Sequence, residues 1–228
     1  MTASDSGGSL VLLSGGMDSA TGLFWASRRR GPVHALTVEY GQRHLREISS
    51  ARRLVRAVHA ASHSIVRLPI ARLLASALTD RRRPLPMAGV GPGIPVTYVP
   101  ARNTLLLALA LGAAESRGCA RIVIGVNAID YSGYPDCRPE FLRAFRRVAR
   151  LGTKAGVEGR REPRIEAPLL HLDKAEIVRL GDRLGVPWEL TWSCYRGGSR
   201  PCRRCDSCRL RAKGFRGAGR PDPLLIRS

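Results

Sequence analysis

Apolar residues along this chain switch between two periods, and the switches mark the elements. Leu10, Val11, Leu12 and Leu13 form a short unbroken apolar run, the pattern of a strand covered on both faces. Residues 20–27 then read as a helix and 32–38 as a second strand. Leu45, Ile48, Ala51, Leu54, Val55 and Val58 recur at helical spacing, which predicts an amphipathic helix over 44–57. Residues 62–68 read as a third strand, 69–78 as a short helix with a Leu73–Leu74 face, and 96–100 as extended. Residues 104–116 are strongly apolar, as expected of a helix buried against a sheet. Strands at 121–126 and 165–170 and helices at 139–151 and 174–184 complete the pattern, with 152–164 a loop and Asp173 capping the last helix. Strands alternating with helices at short spacing predict an α/β fold, a parallel sheet with helices on both faces.

The polar residues gather where the strands end, and in an open parallel sheet the carboxyl ends of strands border the ligand crevice. The first such block is Ser14, Gly15, Gly16, Met17, Asp18 and Ser19. A glycine turn between strand and helix aims free backbone N–H groups and the positive helix end at one point, so an anion belongs there. Ser14 and Ser19 add hydroxyl donors. Asp18 is itself negative; it fits as a group that orients the turn or helps hold magnesium beside phosphates. No Lys-Ser/Thr pair follows the glycines, which excludes a Walker loop.

Tyr40, Gln42, Arg43 and His44 follow the second strand, and Arg102 and Asn103 precede the apolar helix. An arginine at that edge can grip a phosphate or carboxylate through two parallel hydrogen bonds. The block after the fourth strand is the densest: Asn127, Asp130, Tyr131, Ser132, Gly133, Tyr134, Pro135, Asp136, Cys137 and Arg138. Tyrosines can stack on a planar heterocycle, and aspartates can accept from the N–H edge of a guanine-like ring. Lys174 opens a helix against the dipole preference, so it is expected to meet an anion such as the terminal phosphates of a nucleotide. The plainer alternatives are a helix cap for Arg102 and a solvated surface lysine. Residues 80–95, with Arg81, Arg82 and Arg83, read as a long surface loop.

Length and composition narrow the setting. At 228 residues and 44% apolar content, the chain can build one substantial core with a small appendage. The first apolar run is too short for a signal peptide, and no run spans a bilayer, so a cytoplasmic protein with no membrane association is expected. The formal charge of +20, almost all of it arginine, raises a polyanion partner. Yet the arginines are scattered and only 5% of residues are aromatic, so nucleic acid is the weaker expectation and a small anionic substrate the stronger. Residues 1–9 read as a disordered leader, 10–190 as the catalytic domain and 191–228 as a separate C-terminal segment.

That segment holds four cysteines: Cys194, then Cys202, Cys205 and Cys208 as overlapping CxxC units. Clustered thiols in a cytoplasmic setting point to metal. Four thiolates suit tetrahedral zinc, with an iron–sulfur cluster as the alternative, and full protein ligation makes the zinc structural, one per subunit.

The Ser14–Ser19 loop resembles the SGGxDS loop of ATP pyrophosphatases (PP-loop proteins). Taken with Tyr40–His44, Val99–Asn103, Asp130–Arg138, Pro168–Lys174 and the four cysteines, it makes nearly the whole chain similar to the 7-cyano-7-deazaguanine (preQ0) synthase family of queuosine biosynthesis. The resemblance implies a Rossmann-like, adenine nucleotide α-hydrolase-like core with a small zinc segment. It implies ATP-dependent conversion of 7-carboxy-7-deazaguanine and ammonia to the nitrile, with Mg2+, Zn2+ and a homodimer. ATP would be bound by Leu13, Ser14, Gly15, Gly16, Met17, Asp18, Ser19, Ala20, Thr21, Gly22, Leu23 and Lys174. Ser14, Asp18, Ser19, Lys174 and Arg102 would carry the catalysis. Tyr40, Gln42, Arg43, Arg102, Asn103, Asp130, Tyr131, Tyr134, Asp136 and Arg138 would bind the substrate. Ala101 stands where some relatives have glycine. The competing classes are a tRNA-modifying adenylase or thiolase on the same loop and a zinc protein without catalysis. The nitrile could equally feed a deazapurine natural product or a DNA modification.

Overall fold

The computed structural model describes residues 7–43, 45–80, 82–87, 93–129, 133–160 and 162–226. His44, Arg81, Asp130, Tyr131 and Ser132, all singled out in the sequence, lie outside the described residues. The strands are β1 (Ser9–Leu12), β2 (Val33–Glu39), β3 (Ser62–Arg67), β4 (Arg121–Val123) and β5 (Arg164–Glu166). They form one sheet in the order β3-β2-β1-β4-β5, and each pairing is parallel. The chain winds outward from β1 to β3, then returns to the other side of β1 for β4 and β5. The order therefore reverses between β1 and β4, where a ligand crevice opens at the carboxyl ends of the strands.

The helices are α1 (Met17–Ser27), α2 (Arg46–Ala57), α3 (Arg102–Ser116), α4 (Pro139–Gly152), α5 (Lys154–Val157), α6 (Lys174–Leu184), α7 (Asp206–Gly217) and α8 (Pro223–Ile226). The alternation within β1 sorts them into two layers. Leu10 and Leu12 point to one face, where they pack with Leu107 and Leu111 of α3 and Leu142 and Phe145 of α4. Val11 and Leu13 point to the other, with Leu23 of α1, Leu54 of α2, Val178 of α6 and Phe215 of α7. Leu107 is fully enclosed, and its truncation to alanine should cost about 2–5 kcal/mol. An α/β core with helices on both faces is the architecture expected from the pattern.

The differences from expectation have local causes. The first strand starts at Ser9, and Gly8 accepts a hydrogen bond from Ala120 N–H, so residues 8 and 9 belong to the folded sheet region. Residues 69–78 form turns rather than a helix. Leu73 is 80% exposed, so that turn has no core to pack against. Residues 96–100, expected to be extended, form turns outside the sheet, with Tyr98 N–H donating to Pro95 C=O and Arg102 N–H to Val99 C=O. The strand expected at 121–126 pairs only to Val123, and the one at 165–170 stops at Glu166, before Pro168. Within the expected loop 152–164, α5 forms because Thr153 accepts from Gly156 N–H as its cap. No helix among the described residues is long and apolar enough to cross a membrane.

Candidate active site

The loop between β1 and α1 closes on its own polar groups. Ser14 and Ser19 hydroxyls lie 3.0 Å apart, and Ser19 Oγ accepts from the N–H groups of Ser14 and Gly15, each at 3.2 Å. Gly16 N–H donates to Ser14 Oγ at 3.3 Å. Gly15 has φ +90°, and a Cβ there would fall 2.2 Å from the Glu47 carbonyl oxygen, so only glycine fits. The first turn of α2 thus presses directly against the loop.

Lys174 is held where the sequence placed it by a complete capping box. Asp173 Oδ1 accepts from Glu176 N–H at 2.7 Å, and Glu176 Oε2 accepts from Asp173 N–H at 2.8 Å. Its buried ammonium donates to Asp18 Oδ2 at 2.7 Å. Asp18 Oδ1 is buried with no hydrogen-bond partner among the described residues. A hard divalent cation is the ligand such an oxygen suits, so the residues present fit magnesium.

One cavity joins this loop to the other blocks. Leu13, Ser14, Gly16, Met17, Asp18, Ser19 and Lys174 form one wall. Tyr40, Gln42, Arg43, Arg102, Asn103 and Tyr134 form the facing one. Gln42 Oε1 accepts from Tyr40 N–H at 2.9 Å, which closes the turn after β2. Arg43 donates to the carbonyls of Asp80 and Arg83 and so ties that turn to the following loop. Arg102 lies beside Tyr40, with Nη1 3.5 Å from the phenol oxygen. Tyr134 shares a 2.6 Å hydrogen bond with Thr97. Burial raises the pKa of both phenols, although Arg102 works the other way. Both stay neutral near pH 7.

Several expected site residues take other places. Ala20, Thr21 and Leu23 are buried in the body of α1; Thr21 Oγ1 donates to Met17 C=O, and Gly22 faces Val123. None of these four lines the cavity, because α1 turns that face toward the sheet and α6. Asp136 is buried with Oδ2 accepting from Asn103 N–H at 2.8 Å. That carboxylate oxygen satisfies a free N–H in the first turn of α3. Arg138 is exposed at the start of α4, outside the lining.

The sequence reading missed Glu47, which lines the cavity from the first turn of α2. Desolvation pushes its carboxyl up to about 7, against the pull of Arg102. Its one signal was an acid a few residues past the Tyr-Gly-Gln-Arg block. Cys137, ambiguous in sequence, lines the cavity as a thiol; burial pushes it up to about 12, and Asn103 Nδ2 lies 3.3 Å from its sulfur. Trp192, Ser193, Tyr195, Ser207, Leu210 and Arg211 were missed too, and they bring the C-terminal segment into the cavity wall.

In that segment the four sulfurs of Cys194, Cys202, Cys205 and Cys208 lie within 4.8 Å of one another. Cys202 and Cys208 are 3.9 Å apart, close to the about 3.8 Å edge of a zinc–thiolate tetrahedron built on ~2.3 Å bonds. Cys194 accepts from Cys202 N–H at 3.3 Å and Cys202 from Cys205 N–H at 3.4 Å, so backbone donors already orient two sulfurs. The donor set fits a metal cluster. Trp192 N–H donates to Gly15 C=O at 2.9 Å, which ties the cysteine segment to the phosphate-type loop.

Comparison with known proteins agrees with this geometry. The 4-thiouridine synthetase seen in complex with RNA and ATP shares the fold, with TM-score 0.53 and 19% identity over 96% of this chain and 52% of that one. The chain is 58% identical over 223 residues to a 7-cyano-7-deazaguanine synthase of Anaeromyxobacter sp. (strain Fw109-5), covering 95% of this chain and 94% of that protein. It is 54% identical over 221 residues to the synthase of Dechloromonas aromatica (strain RCB), covering 96% and 98%. The model of the family described as queuosine biosynthesis protein QueC matches residues 8–219, and the chain belongs to that family.

Proposed function

We propose that this protein is an ATP-dependent ligase that converts 7-carboxy-7-deazaguanine and ammonia to 7-cyano-7-deazaguanine. The observation that carries the reading is the near-full-length identity to synthases of that name. A carboxylate is a poor acyl donor because its leaving group would be oxide. Adenylating it releases pyrophosphate and creates a good leaving group, AMP, which ammonia displaces to give the amide. A second adenylation, on the amide oxygen, lets AMP leave again and the nitrile form.

The enzyme's part is positioning and charge neutralisation. Ser14, Gly16 and Ser19, which line the cavity with Lys174, would bind phosphate, and Lys174 would meet the charge that develops as pyrophosphate departs. Magnesium would be held by Asp18 and would supply further neutralisation of the phosphates. Tyr40, Asn103 and Tyr134 are assigned to the deazaguanine, and Arg102 to its carboxylate or the transferring phosphoryl. Zinc on the four cysteines is structural, because four thiolates leave no position for water. Residues 10–190 are the catalytic domain, and 191–228 a zinc-held segment that completes its wall. Reduced thiols suit a cytoplasmic setting. An apolar groove between α3 and α4, with Val148 51% exposed beside it, supports a homodimer. A monomeric mass in light scattering would end that assignment.

The charge of +20 is the observation that favours RNA as the second reading. One experiment separates the two. Purified protein is incubated with ATP, magnesium, ammonium and 7-carboxy-7-deazaguanine, and products are read by mass spectrometry. The synthase reading expects the nitrile with roughly two AMP, one for each leaving group made. Zinc-loaded, folded protein that yields neither product nor AMP overturns it and makes tRNA the next substrate.

A further inference from the structure

Nitrile synthesis strips the incoming nitrogen of every proton, so a base standing beside the acyl carbon would speed each proton loss. Given the synthase chemistry proposed above, that carbon lies between the phosphate-type loop and the Tyr40–Arg102 wall. Among the described lining residues two carboxylates are present, Asp18 and Glu47. Asp18 is engaged by the Lys174 ammonium at 2.7 Å. Glu47 has no hydrogen bond or ion pair among the described residues. The remaining titratable neighbours are poor bases: the Tyr40 and Tyr134 phenols and the Cys137 thiol are all held protonated by burial.

The placement of Glu47 is fixed from behind. Its own backbone carbonyl packs where a Cβ on Gly15 would sit, so its helix turn cannot move without the loop. Its charge interacts with both Tyr40 and Arg102, the residues on the substrate side. We propose that Glu47 is a catalytic residue, the acceptor of protons from the nitrogen in both halves of the reaction. In the first half the nitrogen lone pair bonds to the acyl carbon. One N–H proton passes to Glu47, the C–O bond to the adenylate breaks, and AMP leaves with the electron pair. In the second half the O-adenylated amide first gives one N–H proton to Glu47, which leaves a neutral imidate, and Glu47 releases that proton to water. Glu47 takes the other as the C–O bond breaks and AMP again carries off the electron pair. Glu47 passes each proton to water between steps, and no oxidation or reduction is involved.

Two features suit the site to this task. A lone Arg102 would repel ammonium, the main form of ammonia at neutral pH, and the Glu47 carboxylate offsets that charge. The acceptor is also poised for turnover, since a carboxyl pushed up to about 7 both takes and returns protons near neutrality.

The test divides the reaction. Wild type, Glu47→Gln and Glu47→Asp are compared in substrate-dependent ATP–pyrophosphate exchange, which reports adenylation, and in single-turnover amide and nitrile formation. Total ammonium is adjusted at each pH to keep free ammonia constant. Glu47→Gln is expected to exchange at a rate within about threefold of wild type and to lose about 100-fold or more in amide and nitrile formation. The wild-type product step should rise with pH through about 7, and this rise should be absent in Glu47→Gln and partly restored in Glu47→Asp. Equal losses in exchange and product formation, or an unchanged product step, would overturn the assignment. Failure of wild type itself to make nitrile would instead overturn the synthase reading.

Discussion

The loop after β1 and the cysteine loop ahead of α7 both gather polar atoms around one point, but they are built in opposite ways. The first is closed by hydrogen bonds among Ser14, Gly15, Gly16 and Ser19, all within one short turn, so its shape precedes any ligand. The second draws together sulfurs from positions 194 to 208, and the bonds that hold them are N–H···S contacts made by the loop's own backbone. Four sulfurs within 4.8 Å of one another form a donor set that a metal ion would hold firmly as four thiolates. One region is closed on itself, while the other presents a donor set that a metal ion would lock. They meet where Trp192 N–H reaches Gly15 C=O, so the cysteine segment props the loop after β1.

The largest effect should come from removing the metal's hold. Cys205 is fully buried, and Cys205→Ser leaves a hydroxyl that binds zinc poorly. The expected outcome is loss of metal in elemental analysis and a fall in Tm of roughly 10 °C. The KM for ATP should rise as well, since Trp192 then no longer fixes the Gly15 carbonyl. Metal loss with an unchanged KM for ATP would break the proposed coupling between the two regions.

Gly15→Ala attacks the other partner. The new methyl would meet the Glu47 carbonyl oxygen at 2.2 Å on a backbone at φ +90°. The loop must shift, at a cost of about 2 kcal/mol or more. ATP–pyrophosphate exchange should collapse while zinc content stays at wild-type level. If zinc is lost too, the cysteine segment depends on the loop as much as the reverse, and the comparison becomes symmetrical.

The same contrast explains what could be read from sequence. The Ser14–Ser19 loop and the cysteine quartet were legible because each is a local spacing whose chemistry follows from residue type. The Lys174–Asp18 pair was half legible: the misfit with the helix dipole flagged Lys174, but its partner lies 156 positions away. Asp136 misled because nothing local says that its carboxylate fills the α3 N-terminus at Asn103. Glu47 was hidden by its own helix. It falls between the apolar positions of α2 and reads as a solvated face, until the sheet order turns that helix end toward the cavity. The helix expected at 69–78 failed for the complementary reason, since its Leu73 finds no surface to cover.

The smallest predicted effect tests whether a self-closed region carries strain it could lose. Ala101, the residue before α3, adopts φ +51°, ψ +23°, a conformation that favours glycine. Its N–H donates to the Tyr98 hydroxyl at 3.0 Å, and the turn it makes brings Asn103 N–H onto Asp136 and sets Arg102 beside Tyr40. Its side chain is exposed, so the methyl has little packing to lose. Ala101→Gly removes about 1–2 kcal/mol of left-handed strain and adds about 0.5–1 kcal/mol of unfolded-state entropy. The net is a stabilisation of about 0–1.5 kcal/mol, a rise in Tm of up to roughly 6 °C. Because the hydrogen bonds that hold Asn103 and Arg102 do not involve the methyl, kcat should stay at wild-type level. A lower kcat with a higher Tm would mean that the strain itself holds Arg102 in place. The α3 corner would then join the cysteine loop as a region whose working shape is imposed rather than intrinsic.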